Sequence, residues 1–324
     1  MTVAAQDSSL LRSALLHTGQ WLQATGYEFV TVTPATHEIV LSHRAGQVAR
    51  SVRDVFGWNL PFQREAGVLP EAVVQEMADA GLLTADEEGL WHSRVRFATL
   101  GQFLFPHSSF PTVGNQSVFF GPDTYRFAAL IQRELKSVLW RAPPRILDVC
   151  CGTGAGGLVA GSGGVLWDAP QLTLADINPV ALDFAHVSCE LAGATPVTLQ
   201  LGDLFGGVQG EMDVILANPP YLNDLAGRLY RHGGGRWGEQ LSLRILREGL
   251  QHLAPGGRLI LYTGSAIQNG VDALKDEARD FLQTQEVRWS YEELDPDVFG
   301  EELLGSVYAD VDRIAAVGLV VRKP

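Results

Sequence analysis

Lysine is nearly missing from this 324-residue chain, occurring only at Lys136, Lys275 and Lys323, so arginine supplies almost all of the 24 basic side chains. The 37 acids outnumber them, and the net charge of −13 excludes a globally basic nucleic-acid coat while leaving room for a local basic site. Cysteine stops at three: Cys150, Cys151 and Cys189. An odd count with an adjacent pair makes no disulfide framework and fits a reducing compartment. The adjacent pair is expected as small apolar side chains packed under a loop. No Cys/His cluster has metal-ligand spacing, so no metal is expected. Also absent is any run of the ~18 consecutive apolar residues that a membrane helix needs. The start, MTVAAQDSSLLRSALL, lacks a basic stretch followed by an unbroken apolar run, so no signal peptide, no membrane partner and a cytoplasmic setting are expected. What the chain has in quantity is apolar material, 46% against 19% charged, enough for packed cores and for about two domains.

The clearest composition break is PHSSFPTVGNQS, from Pro106 to Ser117, which suggests an accessory domain over residues 1–110 and a second domain over 111–324. In the first, helical spacing runs from Ser9 to Thr25, followed by a strand-like EFVTVT. A helix is expected in PEAVVQEMADAGLL (Pro70 to Leu83), with proline in its first turn and Gly81 near its end. Strands are expected in GLWHSRVRFATL and QFLF. A helix followed by a two-stranded wing is the order of a winged-helix module, and equally of a small α+β domain with no nucleic-acid partner. Seven arginines against eleven acids in residues 1–110 argue against this domain gripping a phosphate backbone alone.

After the break, RILDVC, QLTLADIN, TPVTLQLGD, MDVILANPP and GRLILYTG are strand candidates, rich in Val, Ile and Leu as buried parallel strands are. Helical stretches separate them: AGGLVAG, PVALDFAHVSCELAG and Trp237 to Leu253, the last ending at Pro255-Gly256-Gly257. EVRWSY and IAAVGLVVRK close the chain. The alternation predicts a doubly wound α/β sheet with ligands at the carboxyl ends of its strands.

The first of these strands runs into Asp148-Val149-Cys150-Cys151-Gly152-Thr153-Gly154-Ala155-Gly156-Gly157. Glycines 152 and 154 let the backbone approach a ligand and turn into a helix whose first N–H groups point outward. Gly152, Gly154 and Gly157 satisfy the dinucleotide pattern G-x-G-x-x-G, and Asp176 ends the second strand where a carboxylate can accept both hydroxyls of a ribose. To that point a nicotinamide dinucleotide and S-adenosylmethionine are served equally. Three features favour the second. Asp148 stands before the glycines, where a cationic ligand is welcome and a pyrophosphate is not. Asp203, in Gly202-Asp203-Leu204 after the third strand, can accept from an adenine amino group. The fourth strand ends in Asn218-Pro219-Pro220-Tyr221.

On these residues the chain from about Phe119 to Lys323 resembles a class I S-adenosylmethionine-dependent methyltransferase, the seven-stranded α/β family, of the branch whose NPPY motif serves planar nitrogens. The resemblance implies that Asp148, Cys150, Gly152, Thr153 and Gly154 hold the methionine moiety, Asp176 and Ile177 the ribose, and Asp203 and Leu204 the adenine, with Asn218 beside them. Asn218, Pro219, Pro220 and Tyr221 are then the catalytic set. A planar amine is a poor nucleophile because its lone pair is delocalised. Two acceptors, the Asn218 side-chain oxygen and the Pro219 carbonyl, can hold its N–H groups so that the lone pair returns to nitrogen. Tyr221 offers a ring for stacking, and oriented dipoles rather than a strong base supply the catalysis.

Two subfamilies share these features. Phe120-Gly121-Pro122-Asp123-Thr124 resembles the lead-in of glutamine methyltransferases acting on peptide release factors, with Gly121 where that family has arginine, and Gly234-Gly235-Arg236-Trp237-Gly238 is a loose match to a second motif there. Asp148-Val149-Cys150-Cys151-Gly152-Thr153-Gly154 is similar to the turn of adenine-N6 DNA and RNA methyltransferases. From Asn223 to Arg247, Arg228, Arg231, Arg236, Arg244 and Arg247 outnumber Asp224 and Glu239, and Tyr230 and Trp237 are interleaved with them. A solvated helix face would account for Arg244 and Arg247. Substrate contacts are therefore expected from Pro122, Tyr221, Arg228, Arg231, Arg236 and Trp237. The sequence puts adenine N6 of DNA or RNA first, a protein glutamine second, and a nicotinamide-dependent oxidoreductase last. The acidic run Glu292, Glu293, Asp295, Asp297, Glu301 and Glu302 is expected as a solvated connection, and His232 as a surface residue.

Overall fold

The computed structural model describes residues 8–140, 142–162, 170–194 and 196–324. Among them, the segment up to residue 110 places four α-helices ahead of two hairpins. α1 (Ser8–Ala24) turns Leu11, Ala14, Leu15 and Leu22 inward at helical spacing. α2 (Pro34–Ser42) starts where the Thr33 hydroxyl accepts from the Thr36 amide, with proline in the first turn. α3 (Val52–Phe56) carries a reciprocal capping box between Ser51 and Asp54. α4 (Glu71–Asp79) follows Pro70 and runs out at Gly81, whose φ of +66° suits glycine. β1 (Leu83–Ala85) pairs antiparallel with β2 (Trp91–Ser93), and β3 (Val95–Leu100) with β4 (Phe103–Ser108). The expected strand GLWHSRVRFATL is split at Arg94 into β2 and β3, which belong to different hairpins; β1 lies where the helix was expected to end, and β3–β4 is the pair that follows the expected wing.

EFVTVT is not a strand. The Phe29 carbonyl accepts from the Thr99 amide at 2.8 Å, but the Phe29 amide goes to the Thr99 hydroxyl and the Thr31 amide to the Tyr125 hydroxyl at 3.0 Å. Side chains here replace a ladder, which alternation of residue types cannot foretell.

The second half runs α5 (Pro122–Leu135), β5 (Arg145–Val149), α6 (Ala155–Ser162), β6 (Gln171–Asp176), α7 (Pro179–Leu191), β7 (Thr198–Leu201) and β8 (Met212–Ala217). It continues through α8 (Gln240–His252), β9 (Leu253–Gln268), β10 (Val271–Asp272), α9 (Ala273–Leu282), β11 (Arg288–Asp295) and β12 (Arg313–Arg322). The sheet order is β7-β6-β5-β8-β9-β12-β11, with β10 folded back on β9. β5 to β9 are parallel, whereas β12 is antiparallel to both of its neighbours. The seven-stranded α/β sheet expected from the resemblance is present. TPVTLQLGD begins at Thr195, outside the described residues, and its strand starts at Thr198. β9 begins already at Leu253 and passes through Pro255-Gly256-Gly257, so the turn expected after α8 is part of a strand. β10 and α9 carry no strong apolar signature; α9 buries only Leu274, Ala278 and Leu282.

Strand order reverses around β5: β6 and β7 lie on one side, β8 and β9 on the other. That is the switch point at which open α/β sheets bind ligands. The register makes it concrete. Val149 pairs with Ala175 of β6 and with Ala217 of β8, so Cys150, Asp176 and Asn218 leave the sheet side by side.

The first segment is fastened to the sheet through α7, a helix buried on two sides. Ala185 and Cys189 face the sheet core, while Ala181, Phe184 and Val187 join a cluster with Leu11, Leu15, Phe56 and Phe97. Gly19 of α1 lies so close to Leu191 that a Cβ there would come within 2.6 Å of it, and Arg12 Nε donates to Asp183 Oδ1 at 2.6 Å. Among the described residues no helix is long and apolar enough to cross a membrane.

Candidate functional site

A cavity of about 320 Å³ opens over the carboxyl ends of β5, β6 and β8, within the size range of small-molecule sites. Its floor is the β5–α6 turn, where Cys150, Gly152 and Gly154 all have positive φ, of 57°, 52° and 78°. A Cβ on Gly152 would meet nothing within 4 Å, so this backbone lies open to the cavity. Gly154 is different. It lies off the cavity wall, and a Cβ there would press on Leu174 at 3.1 Å and Ala185 at 3.3 Å. Its part is close packing of turn against sheet rather than the ligand contact expected for it.

Asp148 is 1% exposed, and its Oδ2 accepts from the Gly157 amide at 2.8 Å. Burial pushes its carboxyl up to about 8. Its side chain therefore already takes up the Gly157 amide at the start of α6, one of the donors that a dinucleotide would use for its pyrophosphate. The loss of that donor counts against the nicotinamide reading. Asp176 Oδ2 accepts from the Gly152 amide and Oδ1 from the Asn178 amide, both at 2.9 Å. Burial raises this carboxyl too, and each oxygen keeps a lone pair for a ligand hydroxyl. Asp203 reaches the rim, where it pairs with Arg244 at 3.1 Å; Leu204 is buried with φ +50°, and Ile177 stands 53% exposed at the lip. Thr153 lines the cavity between them. The thiols of Cys150 and Cys151 are driven up by burial, as packed rather than reactive cysteines are.

β8 delivers Asn218, Pro219, Pro220 and Tyr221 to the opposite wall. Among the described residues, no protein group hydrogen-bonds the Asn218 carboxamide or the Pro219 carbonyl. Tyr221 is only 8% exposed. Its ring meets Tyr262 and Phe299 edge-on at 6.3 and 5.9 Å, and Gly264 of β9 lies so close that a Cβ would come within 2.5 Å of the ring. Beneath it Asp123, itself buried, accepts from the Tyr262 hydroxyl at 2.5 Å and lies 3.5 Å from Arg126. Burial pushes both the Asp123 carboxyl and the Tyr221 hydroxyl up.

The loop after Tyr221 folds back on the motif. The Leu222 amide donates to the Arg231 carbonyl at 3.1 Å and the Gly233 amide to Leu222 at 2.8 Å. A Cβ on Gly233 would lie 2.5 Å from the Pro220 carbonyl, and one on Gly238 would run into the Tyr221 carbonyl. Tyr308 fixes both ends of this loop: its hydroxyl accepts from the Asn223 amide at 2.8 Å and donates to the Trp237 carbonyl at 2.9 Å. The acidic run is only partly a solvated connection: Glu292, Glu293, Asp297 and Glu301 are exposed, yet the run is tied down. Glu292, Glu293 and Asp295 lie on β11 and pair with Arg133, Arg313 and Arg126, Glu302 pairs with Arg231, and Phe299, at φ +55°, forms part of the cavity wall. His232 lines the cavity as well.

The expected substrate contacts separate. Tyr221 and Arg231 line the cavity; Pro122, Arg236 and Trp237 do not. Pro122 is the first residue of α5, and it is Asp123 and Thr124 that face inward. Arg236 lies over the Trp237 ring at 4.3 Å, outside the wall. Arg228 lines a second, adjoining cavity. Nor are Arg228, Arg231, Arg244 and Arg247 free cations. Arg228 pairs with Asp224 at 2.5 Å, holding that carboxyl down at about 2, Arg244 pairs with Asp203 and Arg247 with Glu277. Counting charge along the chain missed them because Asp203, Glu277 and Glu302 arrive from other segments. Sequence reasoning also missed Pro34, Ser117, Val118, Phe119, Phe127, Leu241 and Phe299 of the wall. Its one usable signal was the composition break, since Ser117 to Phe119 lie at its end and Asn178 Nδ2 donates to the Gln116 carbonyl at 2.9 Å.

The β5–β9 part of the chain matches a known family: residues 128–286 fit the model of the methyltransferase small domain. A release factor glutamine methyltransferase from Deinococcus radiodurans is 33% identical over 150 residues, 43% of this chain and 51% of that protein. A ribosomal RNA small subunit methyltransferase C from Chromohalobacter salexigens is 32% identical over 120 residues, 37% of this chain and 31% of that protein. The match thus spans about half of the first relative's length and about a third of the second's. A solved SAM-dependent methyltransferase from Agrobacterium tumefaciens is 18% identical, with a TM-score of 0.48 over 79% of this chain and 80% of that one. In this chain, the glycine turn and the NPPY segment line one cavity.

Proposed function

We propose that the protein is an S-adenosylmethionine-dependent N-methyltransferase acting on a planar NH2 group of a nucleic acid or a protein. The observation that carries this is the pair of unpartnered acceptors, the Asn218 carboxamide oxygen and the Pro219 carbonyl, opening into the same cavity as the glycine turn. The residues fit the cofactor. Open backbone at Gly152, the spare lone pairs of Asp176 and the apolar faces of Ile177 and Leu204 suit an adenosine. When bound, S-adenosylmethionine supplies an electrophilic methyl carbon on a sulfonium.

The chain's own part is positioning. Two acceptors draw the N–H groups of the substrate so that its lone pair localises on nitrogen, and the proton lost from the alkylated nitrogen passes to water. Tyr308 and the glycines at 233 and 238 hold the motif still while this happens. Preorganised dipoles of this kind are worth about two to three orders of magnitude in rate.

An exocyclic amine such as adenine N6 is the first substrate reading, and a protein glutamine the alternative; the named activities of the two relatives correspond to these two classes of target. Residues 1–110 form the substrate-recognition unit and 111–324 the catalytic one, and the enzyme works in the cytoplasm. Incubating the protein with methyl-labelled S-adenosylmethionine and separate pools of DNA, ribosomal RNA and soluble protein tests the reading. Label in one pool that disappears in Asn218→Ala is expected. An unlabelled outcome in all three, with the cofactor bound, would sink it.

A further inference from the structure

Next to the main cavity lies a second of about 190 Å³, and the two share Pro34, Phe119, Tyr230 and Arg231 as walls. Its lining holds three arginines, Arg96, Arg228 and Arg231, and no carboxylate, in a chain of net charge −13. Arg228 and Arg231 are answered by Asp224 and Glu302 behind them. Arg96 is not. It sits in β3 at 3% exposure, and among the described residues no carboxylate lies within ion-pair distance. Its Nε donates to the Ser108 carbonyl at 3.2 Å, and its Nη1 meets His37 Nδ1 at 3.4 Å. His37 Nε2 faces the Trp58 carbonyl at 3.0 Å and so carries the ring proton, which makes the other nitrogen an acceptor for Arg96. Burial, then the charge of Arg96, holds His37 down at about 4, and so no second cation competes there at neutral pH.

A buried guanidinium with only neutral partners is costly, and removing a charge from water is repaid only by an opposite one. The rim supplies what a nucleotide needs besides an anion site. Phe119 and Tyr230 stack at 6.1 Å with their planes 15° apart, and both rings border the two cavities. Aromatics beside arginines are the surface on which single-stranded nucleic acid settles, its bases on the rings and its phosphates on the cations.

Resting on the methyl-transfer reading above, we propose that this second cavity is an anion subsite that takes a phosphate adjoining the target nucleotide, with Arg96 as its central donor. The substrate class is thereby a single-stranded nucleic acid, or a nucleotide flipped out of a duplex.

The test uses the full chain with inorganic phosphate, a fluorescent single-stranded RNA and an acidic peptide as probes, and S-adenosylhomocysteine binding as a measure of the intact main site. Arg96→Gln removes the central donor. Val113→Glu, at a lining position that is 68% exposed and so tolerant of change, brings a competing carboxylate to the mouth. The wild type is expected to bind inorganic phosphate and both variants to lose it. In both, RNA affinity should fall about tenfold, and in Arg96→Gln the salt dependence should drop by about one phosphate contact. S-adenosylhomocysteine affinity should not change. Phosphate and RNA binding that ignore both substitutions would overturn the subsite. Loss of peptide binding with RNA binding unchanged would overturn it in favour of a protein carboxylate. Failure to bind S-adenosylhomocysteine, with phosphate binding still dependent on Arg96, would count against the methyltransferase reading and leave the anion subsite supported.

Discussion

The two walls of the main cavity are built by opposite strategies. The cofactor wall is local: about 30 residues, from Asp148 to Asn178, supply a strand end, a glycine turn and a second strand end, and their carboxylates close on the backbone of the same stretch. The acceptor wall is assembled from afar. Asn218 to Tyr221 come from β8, Asp123 from the start of α5, Gly264 from β9, and Phe299 and Tyr308 from the segment before β12. A local wall depends on backbone conformation and suits a constant ligand. A wall drawn from distant segments can be reshaped by a change in any one of them, which suits the part of a site that selects its substrate.

The sharpest break between the walls is Asn218→Ala. It should lower methyl transfer by about 10²–10³-fold while leaving S-adenosylhomocysteine affinity unchanged, since it removes one oriented acceptor and nothing from the cofactor wall. Paired turnover and calorimetric measurements check it, and an equal loss in both would merge the two walls into one. Asp176→Ala is the converse. It takes away a carboxylate that holds the Gly152 and Asn178 amides, and cofactor affinity should fall by about tenfold or more, on hydrogen bonds to a charged group of roughly 1.5–3 kcal/mol.

Asp148 sharpens the contrast through pH. Its folded carboxyl, raised by burial to about 8 from 3.8, holds a proton that the unfolded chain releases. Its contribution to stability is therefore complete below about pH 4 and is lost as pH rises towards 8, by up to about 1.4 kcal/mol per pH unit. Urea unfolding between pH 5 and 8 should show this slope in the wild type, and Asp148→Asn should flatten it. The smallest effect is expected from Tyr308→Phe. Without its hydroxyl the Asn223 amide loses an acceptor, worth about 1 kcal/mol, and the substrate KM should rise a few-fold with cofactor affinity untouched.

The same contrast governs what could be read in advance. The cofactor wall was legible because its determinants are adjacent in the chain: glycines with positive φ, acids at strand ends, β-rich runs between them. Even there Gly154 was misplaced, since a glycine needed for close packing and one needed for ligand approach look alike in sequence. On the acceptor wall only the NPPY segment was visible. Asp123 stood inside a quoted motif, yet its neighbour Pro122 was chosen, because which residue of a helix's first turn faces inward depends on the docking of α5. Arg228, Arg244 and Arg247 looked like a basic patch until Asp224, Asp203 and Glu277 were seen against them.

Sequence alone determined the alternation of strands and helices, the glycine turn and the oriented amide at the end of the fourth strand of the sheet, because each rests on backbone chemistry within a few residues. Tertiary structure alone decided which charges are neutralised, which aromatics close the site, and that Arg96 is buried beside a cavity without a counter-ion. Many of those outcomes depend on residues from about 30 to about 170 positions apart meeting in space, and no pattern along the chain encodes that meeting.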